Sequence, residues 1–258
     1  MKFLNDILKI ITEYGSSYLT GAGNTLLLAL IGTVIGCIIG FAVGTVQATP
    51  LPEKGGKRVV MRIVRAILRG YVELFRGTPM IVQAVFIHYG MFYMGLKPAI
   101  WFSGILVVSI NTGAYMAETV RGGIMSIDQG QFEGAKAIGM THNQTMINVV
   151  LPQALRNIIP QIGNNFIINV KDTAVMSIIA FMDLFSIHKS VVGSNYLYFP
   201  SAVLTMAIYL TMTLVSSVLL RLWEDKMAGD ANYDIVNTKD TLAQTSGLYR
   251  AKKKEAKR

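Results

Sequence analysis

Five stretches of this chain are apolar over helix-long distances, at about 24–47, 78–94, 100–116, 158–181 and 202–223. Crossing roughly 30 Å of hydrocarbon takes about 20 such residues in a helix. A soluble core would absorb scattered apolar residues, but here they are gathered into blocks. Charged residues make up only 15% of the 258 positions, where a soluble domain carries about a quarter. The expectation is an all-α membrane protein with about five transmembrane helices in one domain, residues 24–223. A polar tail, 224–258, follows that domain and ends in "YRAKKKEAKR"; it reads as a solvated cytoplasmic segment. Residues 1–23 precede it, with Phe3, Ile7, Ile10 and Ile11 on one helical face, and read as an interfacial helix. Acids among the lysines and the lack of a small-residue cleavage site argue against a signal peptide.

In the first block Gly32, Gly36, Gly40 and Gly44 repeat every four residues and line one helix face, a pattern that lets membrane helices approach closely. Cys37, in the same block, is the only cysteine, which removes disulfide frameworks and cysteine-rich metal sites and leaves it a small packing residue. Between the first two blocks lies "VVMRIVRAILRGYVELFRGTP", with Arg62, Arg65, Arg69 and Arg76 on or beside one face. That segment predicts a helix along the inner membrane surface. The net charge of +9 comes from such loops beside apolar blocks, which is a positive-inside pattern and not a nucleic-acid groove. Residues 50–77 therefore belong inside, while the basic-poor turn near Lys97 and the loop around His188 and Lys189 belong outside. Five spans place the N-terminus outside and the C-terminus in the cytoplasm.

Enzyme chemistry finds no support. His88, His142 and His188 are scattered, and there is neither a His-Glu-x-x-His motif nor a Gly-x-Ser-x-Gly elbow, so no catalytic or metal-ligating set is expected. "GTVIGCIIG" and "EKGGKRVV" both fail the phosphate-loop pattern. Energy for uphill movement must then come from an ion gradient or another subunit. Polar residues inside the spans are costly in lipid and call for a partner or a function. The fourth span carries Asn164, Asn165, Asn169, Lys171 and Asp172, of which Asn165 and Asp172 share a face; Asn111, Thr112, Tyr115 and Glu118 make a weaker group in the third. Two readings stay open for them: polar ties between helices, or the wall of a substrate path.

Between the third and fourth spans a polar elbow, about 128–152, contains "EGAKAIGMTHNQTMINVVLP". Glu133, Ala135, Gly139, Val149, Leu151 and Pro152 match the spacing EAA-x3-G-x9-I-x-LP, with Gly134 and Val149 as substitutions. Further stretches, "ELFRGTPMIVQ", "AYMAETVRGGI", "LPQALRNIIPQIGNNFI" and "KDTAVMSII", accompany it. Over about 23–223 the chain resembles the permease subunits of ABC importers, in the branch that takes up polar amino acids.

The resemblance implies a type I importer permease with cytoplasmic coupling helices, in the bacterial inner membrane. Glu133, Ala135, Gly139, Leu151 and Pro152 would then shape an elbow that docks on a separate ATPase, with Gly139 allowing the turn and Glu133 capping or pairing at the first helix. It also implies a second permease subunit, identical or homologous, an extracytoplasmic amino-acid-binding protein, and no cofactor on this chain, ATP and magnesium residing on the ATPase. An amino acid entering a low-dielectric site needs a fixed anion and hydrogen-bond donors. Asp172 is the candidate for the ammonium, with Arg76, Thr78 and Gln83 for the carboxylate or side chain. Relatives that carry cationic amino acids commonly have Glu at the position of Asn165; the neutral amide here implies a polar uncharged cargo such as glutamine. The rival classes are a gradient-driven secondary transporter using Lys171 and Asp172 as a relay, and a membrane scaffold without transport.

Overall fold

The computed structural model of the protein describes residues 2–51 and 54–228, and every described element is helical. They are α1 (Lys2–Ala48), α2 (Gly56–Gly77), α3 (Met80–Tyr93), α4 (Ile100–Met125), α5 (Gln129–Ala137), α6 (His142–Thr145), α7 (Leu151–Asp172), α8 (Leu184–Asn195) and α9 (Tyr198–Ala228). A π-helical turn, Met146–Val150, joins α6 to α7, and a 3₁₀ stretch, Thr173–Ile179, extends α7. The helices pack into one compact unit that ends at Leu220.

Three helices are long and apolar enough to cross a bilayer unaided: Lys2–Ala48, Ile100–Met125 and Tyr198–Trp223. The fourth expected span is broken. The helical run 142–179 meets α8 at 52°, the geometry of a broken span or a re-entrant loop. The second expected span corresponds to α3, an apolar helix of 14 residues, about 21 Å long and too short to cross the hydrocarbon unaided.

The expected boundary at residue 23 does not interrupt the helix. α1 runs unbroken for 47 residues, about 70 Å at 1.5 Å per residue, more than twice the hydrocarbon thickness. Its first half is not a helix lying free at the interface, because Ile10 and Tyr18 are buried with Leu184, Ile187 and Val191 of α8. Tyr18 Oη lies 2.8 Å from Ser201 Oγ, which also meets His188 Nδ1 at 2.8 Å. The expected outer loop around His188 and Lys189 is therefore a packed helix. Asp183 starts it, its carboxylate accepting from Phe185 N at 3.1 Å and Ser186 N at 3.0 Å as an N-cap.

The second half of α1 forms the central seam with α4. Gly32, Gly36, Gly40 and Gly44 lie against Val108, Thr112, Met116 and the Ala117–Val120 turn, so the glycine row faces an equally spaced row on α4. At Gly36 an added Cβ would stand 2.6 Å from Thr112 Cβ, closer than two carbons pack. The groove thus exists only because this row lacks side chains.

α2 is amphipathic, as its arginine spacing predicts. Val72 is buried beside Val43 and Ala117, and Tyr71 donates to the carbonyl of Ile110 at 2.7 Å. α9 continues to Ala228, so the first residues assigned to the polar tail are helical; the rest of that tail, 229–258, lies outside the described residues.

Candidate functional site: a polar cavity and a capped elbow

α7 carries polar side chains because it faces both neighbouring helices and an opening between them. Asn169 is buried, and its Nδ2 donates to Thr33 Oγ1 of α1 at 2.8 Å and Thr112 Oγ1 of α4 at 2.9 Å. This amide ties three helices together beside Gly36. One turn earlier, Asn165 is only partly buried; its Nδ2 donates to Gln161 O at 2.9 Å, within its own helix, and contacts Met116 Sδ at 3.4 Å.

Asn165 and Asp172 open onto a cavity of about 250 Å³, which Thr78, Asn111 and Tyr115 also line. Asp172 accepts no hydrogen bond from the described residues, and the Tyr115 hydroxyl has no such partner either. An unpaired carboxylate and a free phenol facing one small space can accept an ammonium and donate to an oxygen. Directly after Asp172 the helix tightens to 3₁₀ over seven residues and ends at Ala180 in the left-handed region, φ 60°. Runs of 3₁₀ this long are uncommon in helices and mark places where the backbone leaves its regular course.

Of the five residues expected to meet substrate, the structure gathers Asp172, Asn165 and Thr78 on this cavity. Gln83 stands behind the wall. It is buried, donates through Nε2 to Phe75 O, Thr78 O and Thr78 Oγ1, each at 2.9 Å, and accepts from Asn111 Nδ2 at 3.0 Å. With its bonding capacity so engaged, Gln83 holds the α2–α3 corner against α4 and positions Thr78 and Asn111. Arg76 is placed elsewhere too: its guanidinium sits 5.6 Å from the centroid of the Tyr115 ring and lines a separate cavity with Arg65 and Arg69. The ring of Tyr115 intervenes because Arg76 precedes the Gly77-Thr78-Pro79 corner, where the chain turns from α2 into α3. Tyr115 itself carried only the weak signal of a polar residue within a span. Lys171 does not line the cavity.

The elbow is built by capping. α5 begins at Asp128, whose Oδ1 accepts from Gly130 N at 2.7 Å. It ends in a Schellman turn: Met140 N donates to Ala135 O at 3.0 Å and Gly139 N to Lys136 O at 2.9 Å. Gly139 holds φ +84°, and an added Cβ there would meet nothing within 4 Å. Its lack of a side chain therefore matters through the left-handed backbone and not through obstruction. α6 opens with a capping box, Thr141 Oγ1 accepting from Gln144 N at 3.4 Å and Gln144 Oε1 accepting from Thr141 N at 2.9 Å.

Two expectations about this elbow change. Glu133 is exposed in mid-helix and does not cap; Asp128 does. Leu151 and Pro152, expected to shape the elbow's end, mark no break: the helical course continues from α6 through the π turn into α7. Pro152 has no N–H for the carbonyl of Asn148, and the π turn just before it, with Leu151 N bonded to Met146 O, widens the spiral at that point. Ala135, Met146 and Val150 are buried, while Ile138 and Ile147 stand 74% and 64% exposed. The elbow thus has one face anchored on the bundle and exposed apolar side chains on its free surface.

A bundle of membrane-crossing helices with a polar cavity beside a broken helix, and a capped elbow projecting from it, is the architecture of a membrane transport component. The profile of the family described as "binding-protein-dependent transport system inner membrane component" matches residues 40–229, and the chain belongs to that family. It is 32% identical over 227 residues to the nopaline transport system permease protein NocM of Agrobacterium fabrum, covering 84% of this chain and 90% of that one. To the glutamine transport system permease protein GlnP of Escherichia coli K12 it is 34% identical over 159 residues, 61% of this chain and 73% of the other. Among solved structures, a crystal structure of an amino acid ABC transporter with histidines matches at a TM-score of 0.75 and 33% identity, covering 84% of this chain and 96% of that chain.

Proposed function

We propose that this chain is the permease subunit of an ATP-driven amino-acid importer in the bacterial inner membrane, with the N-terminus outside and the elbow and C-terminus in the cytoplasm. The observation that carries the reading is the elbow: a Schellman turn and a capping box hold two short helices at a set angle, with Ile138 and Ile147 exposed for docking. A separate ATPase subunit receives that surface, a second permease copy completes the path, and an external binding protein delivers the cargo. Membership of a binding-protein-dependent family and relatives named for glutamine and nopaline transport support this over a gradient-driven carrier.

Within the cavity, Asp172 faces the substrate ammonium. Asn165, Thr78 and Tyr115 supply uncharged hydrogen-bonding groups for the remainder. A single carboxylate is spent on the α-ammonium, leaving none for a cationic side chain, which favours a polar uncharged cargo such as glutamine.

The test is reconstitution of the permease with its ATPase in liposomes, with substrate at high concentration inside and out. Uptake stops when ATP is withheld, and glutamine stimulates hydrolysis more than arginine does. Gly139→Val forces a β-branched residue into the left-handed region at about 1–2 kcal/mol, so the subunit stays folded while ATPase co-purification or stimulated hydrolysis falls. Uptake that persists without ATP, driven by an imposed ion gradient, would establish the rival carrier instead.

A further inference from the structure

α1, α2 and α4 enclose a second cavity of about 630 Å³, distinct from the one lined by Asp172. Its wall carries Arg65, Arg69, Arg76 and Arg121 against Glu73 and Glu118. Glu118 and Arg121 are already paired with each other, Arg121 Nε donating to Glu118 Oε2 at 3.1 Å. Three guanidiniums therefore face one remaining carboxylate. The wall also holds two buried donor atoms without a hydrogen-bond partner, Gln47 Nε2 and Arg65 Nη2. Only two other buried side-chain atoms among the described residues, Ser109 Oγ and Asn195 Nδ2, lack a partner. Arg65 is also oriented, since its Nε donates to Val46 O at 3.2 Å. Arg76 is held over the Tyr115 ring.

Buried donors call for an acceptor, and clustered like charges call for an anion. Water answers the first need and not the second. A group with several anionic oxygens answers both, and arginine forks match phosphate geometry. We propose that this cavity binds a phosphate-bearing anion, with Gln47 and Arg65 donating to its oxygens and Arg69 and Arg76 supplying the counter-charge. The basic segment that forms the wall belongs, by its charge, to the inner membrane boundary, where acidic phospholipid headgroups present such a group within reach. A free phosphate from the cytoplasm offers the same chemistry.

The full-length permease, purified in mild detergent, distinguishes the two sources. Phosphatidylglycerol, phosphatidylcholine and inorganic phosphate are added separately, and bound lipid is measured by native mass spectrometry and stabilisation by thermal unfolding. Phosphatidylglycerol binds saturably and raises the unfolding temperature, phosphatidylcholine does neither, and Arg65→Gln or Arg69→Gln weakens that binding by about tenfold, as loss of a charge-assisted hydrogen bond does. Arg69 is exposed and makes no hydrogen bond with the described residues, so its variant folds normally even if Arg65→Gln, which loses the bond to Val46, does not. Stabilisation by inorganic phosphate with the same sensitivity to Arg69→Gln, and no preference between the lipids, assigns the site to a free anion. Equal binding by the wild type and Arg69→Gln, or no response to either probe, overturns the proposal. Neither readout involves ATP or amino-acid transport, so the outcome is independent of the function proposed above.

Discussion

Asn169 and Asn165 stand one helical turn apart on α7, yet their amides end in different surroundings. Asn169 is closed in by threonines of two other helices, where the glycine row of α1 lets α4 approach. Both asparagines border the cavity lined by Asp172, but Asn165 is only partly buried and its amide meets no oxygen of another helix. An amide saturated by hydroxyls of neighbouring helices binds the bundle together. One that finds only its own backbone and a thioether keeps capacity for something else. The same residue type, in the same membrane layer, thus serves cohesion at one position and is available for recognition at the other.

The comparison can be broken most severely at the seam. Gly36→Leu drives a side chain into Thr112 and should cost about 3 kcal/mol or more, read as lost monodisperse yield and a sharply lowered unfolding temperature in detergent. A well-folded variant would mean that the α1–α4 approach is adjustable. Smaller effects separate the two sides of α7. Asp172→Asn should lower transport by roughly thirtyfold, about 2 kcal/mol, while leaving the unfolding temperature unchanged, because that carboxylate has no hydrogen-bond partner among the described residues. Asn169→Ala should do the reverse, losing about 1–2 kcal/mol of stability with transport per folded complex preserved. If the two variants exchange phenotypes, the division between cohesion and recognition is wrong. The smallest effect is expected at Asn165→Glu, which adds a second carboxylate to the cavity and should shift preference toward arginine over glutamine by about fivefold, roughly 1 kcal/mol, at unchanged stability.

Several features were legible from the residues because they depend on local pattern. Apolar block length announces a membrane-crossing helix, and the four-residue glycine spacing announces a close seam; α1 and α4 bear out both. The elbow was legible as well through Gly139, a local signal of a helix end, while the Thr141–Gln144 pair that starts the next helix was an equally local signal left unread. α8 could have been read from Asp183, an N-cap residue just before an apolar run, whose carboxylate accepts from Ser186 N.

What pattern could not convey is which neighbour a polar side chain meets. Arg76, Thr78 and Gln83 lie within eight positions of one another, yet one stacks on Tyr115, one faces the cavity and one is locked behind it. Periodicity assigns a helix face, but the occupant opposite that face comes from α4 and α7, remote in sequence. The continuity of α1 through residue 23 has the same origin: α8 covers Ile10 and Tyr18, so one edge of a stretch whose local pattern suits a membrane surface is anchored on the bundle while Leu4, Leu8 and Ile11 stay exposed. Hydrophobic length and glycine spacing, set by each helix's own residues, determined that the chain spans a membrane and where its helices can touch. The division of its polar groups between ties and cavity was decided only when α1, α4 and α7 packed, because a buried amide is satisfied or left free by what surrounds it in space.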